Sequence, residues 1–446
     1  MSKQLLKWIR ILLLFATPLA IVWATWWYDI LDMQWIGGRL SLPMQGLFKV
    51  LLLADLGYLS FLLVRDWCFY RETPPVSDGA LPRIAVVMPA YNEGEGVVRT
   101  LDSLLASNYP PEKMEIIAVD DGSADNTWGC IERVAAGSNG RIKAIRRACN
   151  GGKKQALADG IRASKGEIVV TVDSDTFFRP RTLRRLVSPF VGNEAIGSVA
   201  GNIHVVHEQQ KLIPCMLAAI FTCNFDVLRA GQSSCRAVIC TPGALSAYRR
   251  ELIEPRLDEW LGQKFLGSPS TIGEDRALAA LVLRQDKGVV FQRSAVGYTN
   301  VPESYQGLCR MLLRWLRSDI RENLMLTDYL FSRGGLLDGR MFCLRVTWLL
   351  SVLGMGLSSV SLLLLGYCLV TSHGLFLIVL FGAALLRGSI QAFINLAYRN
   401  ERTAIYSYVF SVFALLSLFW LPTYALFTLH NSKWLTRQKP NAAGKE

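Results

Sequence analysis

No Cys-x-x-Cys pair occurs anywhere in this 446-residue chain, and its ten cysteines are scattered. The closest two, Cys235 and Cys240, have no matching second pair, and the whole chain holds only four histidines. The usual spacing of zinc ligands is thereby absent, and zinc is not expected. The thiols are expected to be reduced and mostly packed, as in a cytosolic domain. Also missing is a Lys/Arg-rich block interleaved with aromatics, so the net charge of +12 does not mark a nucleic-acid binder. An integral membrane protein, with Lys and Arg at the cytoplasmic surface and around anionic substrates, accounts for the charge better.

The 51% hydrophobic content averages two kinds of protein, because both ends are apolar and the middle is mixed. Lys3, Lys7 and Arg10 precede an apolar run from Ile11 to Trp27, and a second run covers Leu47 to Val64, broken by Asp55. The stretch from Ala16 to Ala24 has the small residues of a cleavable leader. Two transmembrane helices, with the start of the chain inside, are the preferred reading of residues 1–75. Three further spans are expected at Val346–Val370, Leu375–Ala397 and Tyr406–Leu429, within a membrane region of residues 346–446. Arg387 inside the second of these is expected to face a protein interior or a wet channel. Five spans would put Lys433, Arg437 and Lys439 outside, against the positive-inside tendency, and the parity stays open.

Between these ends, residues 76–303 read as one catalytic domain built on alternating strands and helices. Strands are expected at Ile84–Met88, Glu115–Val119, Ile142–Ile145 and Ile168–Val172, with amphipathic helices between them, which predicts a mostly parallel, doubly wound sheet. A further strand is expected at Val238–Gly243, running into a turn. Leu212–Phe225 is apolar but too short to span, so it is expected to lie along the membrane interface. Ser270 or Thr271 is expected to cap a helix with acids in its first turn. Residues 304–345 are expected to form amphipathic interface helices, with arginines set among Leu, Met and Trp over Tyr305–Leu326.

Chemistry-bearing residues fall just after the strands, where open α/β sheets bind ligands. The pair Asp173 and Asp175, one residue apart, can hold Mg2+ or Mn2+ against a diphosphate. Tyr91 can stack on a nucleotide ring, Asp121 can accept hydrogen bonds from a pyrimidine, and Lys153 can reach a diphosphate from its Gly-Gly turn. Asp275 is the candidate general base. Arg314 can stabilise a leaving diphosphate, and Trp315 offers a flat apolar face to a sugar. The blander readings are a solvated Asp-Ser-Asp turn, a capping acid at Asp275 and a membrane-anchoring Trp315.

Taken in order, PAYNE, VDDGS, NGGKK, VDSD, GEDR and LLRW resemble the processive membrane glycosyltransferases of glycosyltransferase family two, such as hyaluronan synthases and rhizobial chitin-oligosaccharide synthases. The phrases PGALSAYRR (Pro242–Arg250) and Asn431–Leu435 strengthen the likeness. The resemblance implies a GT-A (Rossmann-like) catalytic domain on the cytoplasmic face of an inner (plasma) membrane. It also implies inverting transfer from a UDP-sugar, and a growing, β-linked, N-acetylglucosamine-containing polysaccharide that is extruded between helices in the lipid bilayer. Secretion partners are compatible with it but no residue names them. By the same resemblance, Tyr91, Glu93, Asp121 and Lys153 would hold UDP, while Asp173 and Asp175 would hold the sugar diphosphate and the metal. Asp275 would be the base, Arg314 and Trp315 would close a QxxRW signature, and Gly243, Tyr248 and Arg249 would sit by the acceptor sugar. Two positions depart from the family pattern: Met311 replaces the glutamine of QxxRW, and Gly243-Ala244 replaces Gly-Pro. The rival readings are a single sugar transfer to a lipid phosphate or short acceptor, and a transporter or receptor with a degenerate nucleotide-sugar domain.

Overall fold

β-branched residues set the centre of the fold. In a computed structural model, which describes residues 57–206, 211–332, 338–353, 374–399 and 402–431, the run Ile84–Ala90 (β1) is buried along its whole length. It pairs in parallel with Met114–Asp120 (β2) on one side and Ile168–Val172 (β4) on the other. Ile142–Arg146 (β3) extends the sheet from β2, again in parallel. Strands apolar on both faces need cover on both faces. The cover includes the helices Gly96–Leu105 (α1), Thr127–Ala136 (α2) and Lys153–Arg162 (α3). Each fully buried Val or Ile contributes about 1.5–3 kcal/mol relative to exposure.

Beyond β4 the sheet ceases to be purely parallel. With Thr176–Phe178 (β5), Ile196–Val205 (β6), Leu245–Arg249 (β7) and Gly288–Thr299 (β10), and with Lys264–Phe265 (β8) and Ser268–Pro269 (β9) forming a separate hairpin, its order is β3-β2-β1-β4-β7-β6-β10-β5. β7 runs antiparallel to both β4 and β6, β10 pairs in parallel with β6, and β5 pairs antiparallel with β10. The sheet is therefore mixed: four of its seven strand pairings are parallel, as expected, and three are antiparallel, which the sequence did not indicate. β6 escapes sequence detection because Gly197, Gly201, Asn202 and His204 interrupt its apolar pattern. A Cβ at Gly201 would meet the Leu245 side chain at 2.5 Å, so close packing against β7 selects the small residue there. The strand expected at Val238–Gly243 is reduced to a bridge between Ala237 and Val289, and the true strand begins two residues later.

The apolar segment expected to end at Phe225 continues as a helix over Leu212–Ser233 (α4), 22 residues of which 61% of the most apolar window is buried. It is long and apolar enough to cross a membrane by composition, which corrects the expectation of a segment too short to span. Glu274–Leu283 (α5) starts behind Gly273, whose φ is +85° and which holds the N-cap position expected for Ser270 or Thr271. The arginine-bearing helix runs over Tyr305–Ser332 (α6), longer than expected. Gly374–Tyr398 (α7) is helical across the stretch Leu375–Ala397. Arg387, expected inside protein or a wet channel, lies exposed beside Leu385 and Leu386, where its long stem can carry the charge away from apolar surface. The last expected span is bent by 48° between Leu418 and Leu421, next to Pro422, which cannot complete an uninterrupted helix. Ile11–Trp27, Asp55, most of Val346–Val370 and the basic tail from Ser432 fall outside the described residues.

A buried ionic knot ties the sheet to these helices. Arg293 of β10 pairs with Asp66 and Asp226, and Asp226 pairs with Arg399 just past α7. Two arginines face two aspartates, so the charges balance where each alone would be costly to bury.

Candidate active site

The C-terminal ends of β1, β2 and β4 lie at one edge of the sheet, because the three strands are parallel neighbours. The turns that follow them carry Tyr91–Glu93, Asp121–Ser123 and Asp173–Asp175. Because β7 is antiparallel to β4 and pairs Leu245 with Val172, its start brings Gly243 to the same edge. Helix α5 then delivers Glu274 and Asp275.

Lys153, the first residue of α3, stands at the centre. Its Nζ lies 2.6 Å from Asp173 Oδ1 and 2.8 Å from Glu274 Oε1. Burial alone would push the ammonium down, but the two carboxylates outweigh it and hold Lys153 well above the usual lysine range. It stays charged. Burial likewise pushes Glu274 up, yet Lys153 and Arg314 outweigh it and keep that carboxyl below its usual value. Gly243 closes over this trio: a Cβ there would sit 2.7 Å from Lys153 Nζ and 3.5 Å from Glu274 Oε1.

Asp275 is built differently from its neighbour. Its Oδ2 accepts the Gly243 N–H at 3.2 Å and its Oδ1 accepts the Arg276 N–H at 2.8 Å. The Thr241 hydroxyl donates to the Asp275 carbonyl at 3.1 Å. Burial, and next the Glu274 charge, push the Asp275 carboxyl above the ordinary aspartate value. Two adjacent acids are thus driven apart, one held ionised by Lys153 and one made more basic. That divergence separates an electrostatic role from a proton-accepting one.

The remaining expected residues divide into those the structure gathers and those it does not. Glu93 Oε1 accepts the Ser174 hydroxyl at 2.7 Å, tying the first turn to the Asp-Ser-Asp turn. Tyr91 is half-buried on the same turn. Asp121 is not presented to a ring: its carboxylate accepts Gly151 N–H at 3.0 Å, Gly152 N–H at 2.7 Å and the Arg147 guanidinium at 2.5 Å. It anchors the loop from which Lys153 starts. That loop crosses so close to Gly122, at φ +68°, that a Cβ there would meet the Cys149 backbone at 2.7 Å. Trp315 is 36% exposed, and its ring lies 5.9 Å from that of Phe221 on α4.

Tyr248 and Arg249 do not sit by an acceptor. Tyr248 is fully buried and its hydroxyl pairs with that of Thr241 at 2.7 Å, beneath the base turn. Arg249 lies opposite Ile168, at the far end of β4, and its guanidinium donates to the carbonyls of Ile196, Phe190 and Asn193. The antiparallel course of β7 carries Arg249 away from the site edge, while the buried Tyr248 ring reaches back beneath it. Glu274 is the residue that sequence reasoning missed. Its signal was present, since GEDR holds two acids in one helical turn, but the pattern does not say which acid meets a lysine.

Among the described residues no group of three or more His, Cys, Asp or Glu could hold a metal ion by itself. Asp173 and Asp175 still suit a hard divalent cation, which takes one or two carboxylates and completes its shell with phosphate oxygens and water. The half-exposed position of Asp173, 32% by side chain, leaves room for that shell.

The sequence pattern described as glycosyl transferase family 2 matches residues 85–256. An N-acetylglucosaminyltransferase of Mesorhizobium japonicum is 30% identical over 397 residues, 83% of this chain and 89% of that relative. A hyaluronan synthase of Streptococcus pyogenes is 28% identical over 369 residues, covering 80% of this chain and 84% of its own. Among solved structures, a mannosyltransferase from Pyrobaculum calidifontis in complex with GDP-Man and Mn2+ superimposes with a TM-score of 0.61 at 21% identity, over 84% of this chain and 97% of that one. That likeness establishes a GT-A-type mixed-sheet fold.

Proposed function

The chain belongs to glycosyl transferase family 2, and on that premise we propose that it polymerises an N-acetylglucosamine-containing, β-linked polysaccharide from UDP-sugars. The names of the relatives support the sugar, since an N-acetylglucosaminyltransferase and a hyaluronan synthase both match over most of the chain. The observation that carries the chemistry is the Lys153 ammonium bridging Asp173 and Glu274 beside a separately raised Asp275.

The acceptor hydroxyl attacks the anomeric carbon as Asp275 takes its proton, and the bond from that carbon to the diphosphate oxygen breaks. Attack opposite the leaving group inverts the anomeric centre. Lys153 and Arg314 stabilise the charge that gathers on the departing diphosphate, a preorganised electrostatic task. A divalent cation held by Asp173 and Asp175, Mg2+ or Mn2+, would neutralise the same diphosphate. Tyr91 and Glu93 line the turn where the nucleotide is held, with Asp121 supporting the loop beneath. Trp315, set against Phe221, offers its exposed face to the acceptor sugar. The reading places the sheet domain on the cytoplasmic face of a plasma membrane, with α4, α7 and the bent C-terminal helices in the bilayer. Repeated addition then feeds the polymer between them.

UDP release from the purified chain, with Mg2+ or Mn2+ and single or paired donors, tests this. Turnover with UDP-N-acetylglucosamine, alone or paired with UDP-glucuronic acid, is expected. Asp275→Asn should lower turnover about 100- to 10,000-fold, the usual worth of a general base, while UDP binding persists. Full activity in that variant removes Asp275 from the role. Products released after one addition would refute polymerisation.

A further inference from the structure

Lys153 and Lys154 are consecutive on α3 and so diverge by about 100° around the helix, which turns once per 3.6 residues. Lys153 enters the site, whereas Lys154 turns behind it, where it is buried. Its Nζ donates to the Ser270 carbonyl at 3.1 Å and to Gln263 Oε1 at 3.3 Å, with the Trp260 ring 5.1 Å away. Gln263 Nε2 in turn donates to both carboxylate oxygens of Glu322, at 3.3 and 3.4 Å. A chain of polar groups therefore runs from α3 to α6 across the back of the turn that precedes Asp275.

In that turn Gly273, at φ +85°, holds the N-cap position of α5 and has no side chain with which to cap it. Its geometry is held from outside: Lys154 grips Ser270, Arg276 pairs with Asp319 at 2.7 Å, and Gly273 packs on Ser318 and on Glu322 Cγ. Ser318, Asp319 and Glu322 share one face of α6, being three and four residues apart. Glu322 is 6% exposed, a costly place for a carboxyl without a task.

We propose that Glu322 is a positioning residue for sugar transfer: acting through Gln263 and Lys154, it fixes the Ser270–Gly273 turn that aims the Asp275 carboxylate. The inference rests on the reading of Asp275 as the base. Burial raises Glu322 to about 7 and lowers Lys154 to about 8, so this polar link titrates near neutrality. The charged groups facing Glu322 are Lys154 from α3, and Arg276 and Asp275 from α5, with Asp319 and Arg321 on its own helix. As pH rises through about 7, Glu322 ionises and strengthens its hold on Gln263 and Lys154, so turnover should rise with it.

The test compares kcat, KM for the donor and UDP affinity in the full chain with Glu322→Ala and Glu322→Gln. Misplacing a reacting group by about 1 Å can cost a factor of about 100. Glu322→Ala should therefore lose roughly 10- to 100-fold in kcat with UDP affinity within about twofold of wild type. Glu322→Gln, which keeps the shape and one acceptor but not the charge, should hold kcat near the wild type's low-pH plateau, above that of Glu322→Ala, and lose the limb near pH 7. Wild-type kcat in Glu322→Ala overturns the proposal, as does parallel loss of kcat and UDP binding in both variants. If Glu322→Ala does not fold, Lys154→Met carries the same comparison, and normal kcat there overturns it equally. A wild-type chain that transfers no sugar overturns the underlying reading of the site, and this inference with it.

Discussion

Replacing Gly243 by alanine adds one methyl group directly over the Lys153 ammonium. The new Cβ would lie 2.7 Å from Lys153 Nζ, whereas ordinary van der Waals contact begins at 3.4 Å, so the ammonium must retreat by about 0.7 Å. It has no slack for this, being held at 2.6 Å by Asp173 and 2.8 Å by Glu274. One of the two bonds is lost. A charge-assisted hydrogen bond is worth about 1.5–3 kcal/mol net, so a diphosphate that relies on the placed ammonium should bind roughly 10- to 150-fold more weakly. Calorimetric titration of UDP in the presence of Mg2+ measures this directly. The decisive control is Lys153→Met alone and combined with Gly243→Ala. If the methyl acts through Lys153, it should add almost nothing in the Lys153→Met background, because the two changes remove the same interaction. Normal UDP binding by Gly243→Ala, or a full additive loss in the double variant, would refute the placement of Gly243 over the lysine.

Arg249→Met should behave as a stability variant. It removes the donors to the carbonyls of Ile196, Phe190 and Asn193, so thermal unfolding should show a loss of about 1–3 kcal/mol, while KM for donor and acceptor stays within twofold. A changed acceptor KM would return Arg249 to the binding site. Asp275 should also leave a mark on stability. Its folded pKa is raised from 3.8, so the folded state favours the protonated form, and stability is lost as pH rises through that raised value. Asp275→Asn should therefore melt higher than wild type at neutral pH, with the gap closing below the ordinary aspartate value. The acid limb of the pH–rate profile should correspondingly lie above that value, because the base must be ionised to act.

The first half of the sheet was legible because its strands are short, β-branched and buried on both faces, and each ends in a turn with its own acidic or glycine signal. β6 was not. Its glycines, Asn202 and His204 mask the apolar run, and the small residues are there for contacts with β7 that are remote in sequence. The antiparallel insertion of β7 between β4 and β6 was equally hidden, since nothing local in LSAYR states which neighbour it pairs with. The extension of α4 past Phe225 was lost to its polar residues, of which Asp226 proves to be paired with Arg293 and Arg399 rather than facing solvent.

The site shows the same division more sharply. Motif order located Lys153, Asp173 and Asp275, because residues that follow parallel strands, or open a helix, collect at one edge of a sheet whatever else surrounds them. What motif order cannot carry is the partner of each charge. Lys153 and Lys154 are identical in type and adjacent in sequence, yet one bridges Asp173 and Glu274 while the other supports Ser270 and Gln263. Glu274 and Asp275 are likewise adjacent acids, and one is lowered while the other is raised. In both pairs the helical turn between neighbours decides the outcome. At a helix start, therefore, the sequence names the chemistry available, and the direction of each Cα–Cβ bond decides which residue performs it and which holds it in place.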